Sequence, residues 1–122
     1  MEKGQTLVPK RGDVYLVSFD PTLGAEIRKT RPAVIIQNDV ANHFSPLTIV
    51  AAISSKFDEP LYPTEALVRA GEAGLRSDSV VLLNQIRTID KSRLARHLGS
   101  LRAATLLKVD RALLLSLGLV RL

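Results

Sequence analysis

Residues 31–38 read Arg-Pro-Ala-Val-Ile-Ile-Gln-Asn, and their apolar centre is the clearest structural signal in the chain. The stretch 33–38 is short and almost wholly apolar, which indicates a strand buried on both faces. Pro32 fixes the backbone immediately before it, so Arg31 stands at the mouth of a rigid strand. A guanidinium stays charged at every accessible pH and can donate two parallel hydrogen bonds to a phosphate. Taken alone, however, the pattern favours a passive Arg31 that neutralises a neighbour or merely binds phosphate.

Short apolar segments continue on both sides of this strand. Residues 13–19 alternate loosely and are rich in β-branched and aromatic side chains, so they predict a strand. Residues 47–54 predict a second buried strand, and the polar stretch 39–46 predicts a turn or a single helical turn. Weaker strands are predicted at residues 65–69, 79–83 and 85–89.

The hydrophobic period changes near Asp90. Asp90 is a good N-cap for a short helix through His97, with Gly99 as its C-terminal stop. Ser100 is predicted to cap a second helix that runs to about Leu117 and repeats its apolar residues every four positions. The last turns of that helix are apolar nearly all round, which leaves open a subunit contact or a deeply buried terminal helix.

Strands in quick succession followed by helices predict a mainly β fold of the α+β class, built on a small, strongly bent antiparallel sheet or barrel. The 122 residues are enough for one domain. The chain has no cysteine, which excludes disulfides and cysteine-based metal sites. No apolar run reaches the ~18 residues of a membrane span, and the N-terminus lacks a secretory pattern, so we expect a cytoplasmic protein.

The net charge indicates a class of binding partner but does not identify the partner. The formal net charge is +5, which attracts polyanions such as nucleic acid but also serves merely to keep proteins soluble. The usual catalytic sets are missing, because the only two histidines have no metal-ligand spacing and the aspartates are scattered on loops. We therefore expect neither a metal nor another cofactor. Ser54 closes a buried strand and could present its hydroxyl beside the Arg31 phosphate, although such serines are usually turn residues.

Several segments, taken in order and spacing, resemble the MazF/PemK family of ribonuclease toxins. They include Arg-Gly-Asp-Val-Tyr at 11–15, Arg-Pro-Ala-Val-Ile at 31–35 and Gln-Ile-Arg-Thr-Ile-Asp at 85–90. The resemblance runs from about residue 10 to the C-terminus. It implies a toxin domain at 10–122 behind a flexible N-terminal extension at 1–9.

The resemblance also implies an SH3-like barrel with a C-terminal helix, forming a homodimer whose groove receives single-stranded RNA. Cleavage would occur at a short motif without metal, by attack of the ribose 2′-hydroxyl, leaving a 2′,3′-cyclic phosphate and a 5′-hydroxyl. Arg31 would handle the phosphate and proton transfer, Ser54 would assist, and the loop 20–30 would edge the groove. A cognate antitoxin with an acidic, partly disordered segment would plug the basic groove.

Further side chains offer hydrogen bonds to base edges, charges to phosphates or a ring for stacking, and Glu26, Asn38 and Gln85 among them match positions near the family's groove. These candidates for RNA contact are Glu26, Arg28, Lys29, Asn38, Tyr62, Gln85 and Arg87. For each of them an ordinary solvated role is equally open. Two further functions also stay open: a gyrase-poisoning toxin of the same fold without nuclease activity, and an SH3-like RNA-binding module without catalysis.

Overall fold

A computed structural model describes residues 8–19 and 30–121 of the chain. Six antiparallel strands form one sheet, in the spatial order β4-β5-β3-β2-β1-β6. The strands are β1 (Asp13–Ser18), β2 (Thr30–Ile35), β3 (Leu47–Ser54), β4 (Glu65–Val68), β5 (Ser79–Asp90) and β6 (Leu94–Ser100), with helices α1 (Asp39–Phe44) and α2 (Ala103–Ser116). The predicted mainly β fold with a C-terminal helix is confirmed. No helix in the described ranges is long and apolar enough to cross a membrane.

The central strands are buried on both faces, as the apolar stretch after Pro32 predicted. Val34 belongs to a core that α2 covers through Val109, whereas Ala33 and Ile35 belong to a second core on the opposite face. Tyr15 of β1 lies in that second core as well. Packed side chains therefore cover both faces of the apolar part of β2. Arg31 is the second residue of this strand.

The two edges of the sheet meet through a 3₁₀ turn (Glu72–Gly74) that follows β4. A Cβ added at Gly74 would fall far inside van der Waals distance of the Leu98 carbonyl oxygen in β6. A Cβ added at Gly99 of β6 would lie 2.8 Å from the carbonyl carbon of Ala73. Within the described residues β4 and β6 share no hydrogen-bonded ladder, so this backbone contact brings the ends of the bent sheet together.

Strand β5 is one continuous element of 12 residues where the sequence predicts two weaker strands. Ala52 of β3 pairs with Leu82, while the preceding Ala51 pairs with Ile86. Residues 83–85 of β5 are therefore extra relative to β3, and the ladder is interrupted there. The predicted boundary between two strands coincides with this interruption. The chain forms a bulge there and continues in the same direction, so β5 remains one strand.

The predicted helix from Asp90 through His97 is wrong. Asp90 caps only a single 3₁₀ turn, in which its carboxylate accepts the Ser92 N–H at 2.8 Å. The chain then extends as β6 and pairs with β1, with His97 opposite Tyr15. The free edge of β1 offers backbone partners that outweigh the modest helix propensity of this segment. Gly99 is accordingly no helix stop but the point of close approach to Ala73.

Ser100 does not cap α2, contrary to the prediction; its hydroxyl donates to Asp13 Oδ1 at 2.7 Å. The cap comes from the buried Glu72, far away in sequence. Glu72 Oε2 accepts the backbone N–H of Arg102 at 2.9 Å, and Oε1 accepts the Thr105 hydroxyl at 3.1 Å. A carboxylate at a helix N-terminus satisfies an orphan N–H and complements the helix dipole.

We expect Glu72→Ala to lower the free energy of unfolding by about 2 kcal/mol, because a partly buried N–H at the start of α2 loses a charged acceptor. Arg102→Ala is the matched control, since its guanidinium is exposed and lies 4.0 Å from the Glu72 carboxylate, while its backbone N–H remains. That exposed pair should contribute under about 1 kcal/mol. Urea unfolding of the two variants measures the difference. Equal losses would mean that Glu72 acts through the ion pair and not through the cap.

The end of α2 is less buried than a core helix would be. Val109 and Ala112 are its buried residues, whereas Leu107, Leu117 and the following Leu119 are exposed. The interpretation of a deeply buried terminal helix is therefore wrong for this chain. The subunit contact predicted as its alternative stays a prediction.

Candidate active site

Arg31 and Ser54 lie in the same surface cavity. The register of β2 with β3 pairs Ala33 with Ala52, and two residues further along it would set Arg31 opposite Ser54. The cavity has a volume of about 390 Å³. Its lining comes from three separate parts of the chain: Arg31, Pro32, Ile53, Ser54, Ser55, Lys56, Leu75, Arg76, Ser77 and Ser79.

Arg31 is an exposed side chain on a strand that is otherwise fixed. β2 begins one residue before it, so Arg31-Pro32 belongs to the strand and does not merely precede it. Arg31 pairs with Val17 of β1, and Pro32 pairs with Leu16. Because both neighbours of β2 hold its backbone, the guanidinium projects from a rigid base into the cavity.

The Ser54 hydroxyl is engaged within its own loop. Its oxygen accepts the backbone N–H of Lys56 at 3.0 Å and donates to the Lys56 carbonyl at 3.1 Å. A hydroxyl has a single proton to donate. To donate to a phosphate, Ser54 must therefore exchange the Lys56 carbonyl for a phosphate oxygen, which requires only rotation about its C–O bond.

The cavity is positively charged. Arg31, Lys56 and Arg76 all line it, and none of the acidic side chains that the structure describes does. Asp78 is the acidic residue nearest to Arg76 in sequence, and it accepts the Ala70 N–H at 2.8 Å and lies 3.6 Å from Arg69. None of the three lining cations makes a side-chain hydrogen bond or ion pair with another described residue. Such a cluster suits oxyanions, because unneutralised like charges are relieved by a bound anion.

The described part of the chain contains no group of three histidine, cysteine, aspartate or glutamate side chains that could hold a metal ion. Among the described residues, the polar side chains that line the cavity are hydroxyls and cations, which suit an oxyanion better than a divalent cation.

Three predicted RNA contacts, Glu26, Arg28 and Lys29, lie outside the described residues. Asn38 is described, and its side-chain oxygen caps α1 by accepting the Ala41 N–H at 2.8 Å. It follows the far end of β2, whose first residues carry Arg31. Within this chain the structure therefore does not bring Asn38 to the cavity.

Gln85, Arg87 and Tyr62 are exposed but do not line the cavity either. Gln85 lies in the interrupted part of the β5 ladder, and the Arg87 guanidinium stacks 5.1 Å from the centroid of the Phe19 ring. Tyr62 precedes β4 and is 72% exposed. All three are available on the surface, so their RNA contacts stay predictions.

The sequence interpretation missed Lys56 and Arg76 as cavity residues. Lys56 could have been found, because it follows Ser54 by two positions in a loop that leaves the same strand. Arg76 carried no such signal, since it reaches the cavity only through the turn between β4 and β5.

The described residues combine a mainly β fold, built on a bent six-stranded sheet with a C-terminal helix, with a surface cavity that Arg31, Lys56 and Arg76 line. Residues 10–117 match the model of the PemK-like, MazF-like toxins of type II toxin–antitoxin systems, and the chain belongs to this family. Endoribonuclease EndoA of Bacillus subtilis (strain 168) is 45% identical over 114 residues, which are 93% of this chain and 98% of the relative. The predicted family and its enzyme class, endoribonuclease, are confirmed.

Solved structures agree with this assignment. The MazE-MazF structure (Form-II) from Deinococcus radiodurans has a TM-score of 0.76 at 28% identity and covers 93% of this chain and 99% of that one. An endoribonuclease in complex with its cognate antitoxin from a Mycobacterial species has a TM-score of 0.76 at 25% identity, with the same shares covered.

Proposed function

We propose that this chain cuts single-stranded RNA without a metal ion, by attack of a ribose 2′-hydroxyl on its own phosphodiester. The observation that carries the proposal is the shared cavity of Arg31 and Ser54. The new bond joins the 2′-oxygen to phosphorus, and the bond from phosphorus to the 5′-oxygen breaks. The 2′-hydroxyl gives up its proton and the departing 5′-oxygen takes one up, so the products are a 2′,3′-cyclic phosphate and a 5′-hydroxyl. Because the nucleophile belongs to the substrate, the enzyme has only to orient it and stabilise charge.

The two side chains divide this work. The Arg31 guanidinium donates to the non-bridging oxygens, on which negative charge grows in the transition state. The Ser54 hydroxyl donates to the same phosphate after it leaves the Lys56 carbonyl. A guanidinium keeps its own proton at accessible pH, so the role of Arg31 is mainly electrostatic and less that of a general base.

Incubation of the purified protein with a long RNA in EDTA, followed by mapping of the cut ends, tests this function. We expect discrete cuts that leave cyclic phosphates and 5′-hydroxyls. Intact RNA would contradict the proposal and favour a gyrase-poisoning toxin. RNA that is bound and retarded but not cut would instead favour a binding module. End mapping also gives the sequence motif at the cut site.

Partners follow from the family and from charge. The solved relatives include MazF with MazE and an endoribonuclease with its cognate antitoxin. For this cytoplasmic toxin we propose a homodimer inhibited by an antitoxin whose acidic, partly disordered segment folds onto the basic RNA site. Inhibition by an acidic antitoxin peptide should weaken as salt rises. Salt-independent inhibition would indicate a mainly apolar contact, and sedimentation of the free protein tests the dimer.

A further inference from the structure

The cavity has more positive charge than one phosphodiester requires. Its volume is about 390 Å³, and Arg31, Lys56 and Arg76 line it. The proposed cleavage mechanism gives roles to Arg31 and Ser54. It gives no role to the Arg76 guanidinium or the Lys56 ammonium. Both side chains are exposed and have no partner among the described side chains, so their charges are available to an external anion.

We propose that Arg76, assisted by Lys56, forms a second anion subsite, which binds the RNA phosphate adjacent to the scissile one. This inference rests on the proposed function, because it needs an RNA strand already seated on Arg31. A single strand presents its phosphates in series, so a cavity with cations on separate loops can hold two consecutive phosphates. Arginine suits the task because its guanidinium can bind phosphate oxygens in a bidentate manner.

The segment that presents Arg76 is held at both ends. Leu75 and Ser79 are buried, and the backbone N–H of Leu75 donates to the Glu72 carbonyl at 3.0 Å. The Ser79 hydroxyl donates to the Ser77 carbonyl at 2.9 Å. These contacts fix the backbone on both sides of Arg76, so a bound phosphate has to order only the side chain itself.

The position of Asp78 supports the same assignment. Its carboxylate accepts the Ala70 N–H and lies 3.6 Å from Arg69, and none of these three residues lines the cavity. An aspartate two residues from Arg76 could otherwise neutralise it. Arg76 is therefore left with its charge available to an external anion.

Short oligoribonucleotides built around the mapped cut site test the subsite. In two of them, the phosphate on the 5′ side or the 3′ side of the scissile one is replaced by a neutral methylphosphonate. We expect one of these replacements to lower kcat/KM of the wild-type enzyme by about 10-fold, as the loss of one phosphate contact should. Arg76→Gln should lose a similar factor on the normal RNA and show no further loss on the neutral one.

Arg111→Gln is the matched control, because it removes the same charge from α2 at a residue outside the cavity. It should keep the full methylphosphonate penalty. The Arg76→Gln enzyme should also show a slope of log(kcat/KM) against log[salt] that is smaller by about one. Its thermal midpoint, compared with wild type, shows that the variant is folded.

A methylphosphonate penalty that persists in Arg76→Gln would overturn the subsite, as would a wild-type enzyme indifferent to both neutral phosphates. Either result would leave the proposed function standing, because the normal RNA would still be cut. Failure of the wild type to cut the normal RNA would instead refute the function itself, so the two failures are distinguishable.

Discussion

Arg31→Ala is expected to lower the single-turnover rate of RNA cleavage by about 10³-fold. Removal of one donor to a developing oxyanion costs about 10²–10³ in rate, and a guanidinium supplies full charge as well as two donors. The substitution should leave the thermal midpoint unchanged, because Arg31 is exposed and its side chain has no partner among the described residues. Rates are measured with enzyme in excess over a labelled RNA in EDTA.

Arg31→Lys is the informative companion variant. It keeps the charge but loses the planar fork, so we expect its rate to lie between those of wild type and Arg31→Ala. An alanine variant that cuts as fast as wild type would remove Arg31 from the mechanism while leaving the activity itself in place. A lysine variant as slow as alanine would show that geometry outweighs charge.

Gly74→Ala should lower the free energy of unfolding by about 3 kcal/mol, because it combines a left-handed backbone with a steric clash. Gly74 has a φ of 75°, and its added Cβ would also lie 3.0 Å from the Leu98 carbonyl carbon. Relief requires the turn after β4 to move away from β6, which opens the contact between the two edges of the sheet. Urea unfolding measures the loss.

Gly71→Ala separates the two causes. Gly71 has a φ of 96° in the same turn, but a Cβ there would meet nothing within 4 Å. We expect it to cost about 1 kcal/mol from backbone strain alone. Similar losses for the two variants would show that the contact with Leu98 contributes little and that the ends of the sheet are held by other interactions.

The strands at the centre of the sheet could be predicted because strands that are buried on both faces consist mostly of apolar residues, as residues 33–36 and 47–54 do. The edge strand β6 could not be predicted. Residues 94–100 read Leu-Ala-Arg-His-Leu-Gly-Ser, with mixed polarity and ordinary helix formers, and only pairing with β1 makes them a strand. The α2 cap escaped prediction for a similar reason, since Glu72 lies 30 residues from Arg102.

Part of the candidate site could likewise be predicted from the sequence, and part of it could not. Arg31 and Ser54 stood out because each lies at the end of a strand whose burial is visible in the sequence. Their approach depends on the register of β2 with β3, which a sequence pattern alone does not give. Arg76 depends on the path of the turn before β5 and was invisible until the fold was known. The RNA contact of Asn38 stays a prediction. The structure shows that its side-chain oxygen caps α1.

The lining of the cavity extends from residue 31 to residue 79, and no single stretch of chain contains it. A ribosome that releases the nascent chain before residue 79 therefore produces a fragment that lacks one wall of the site. The site is complete only after translation has passed that point and the three stretches have met. Cells that survive forced expression should accordingly carry premature stop codons and frameshifts before codon 79, in addition to substitutions of the lining residues.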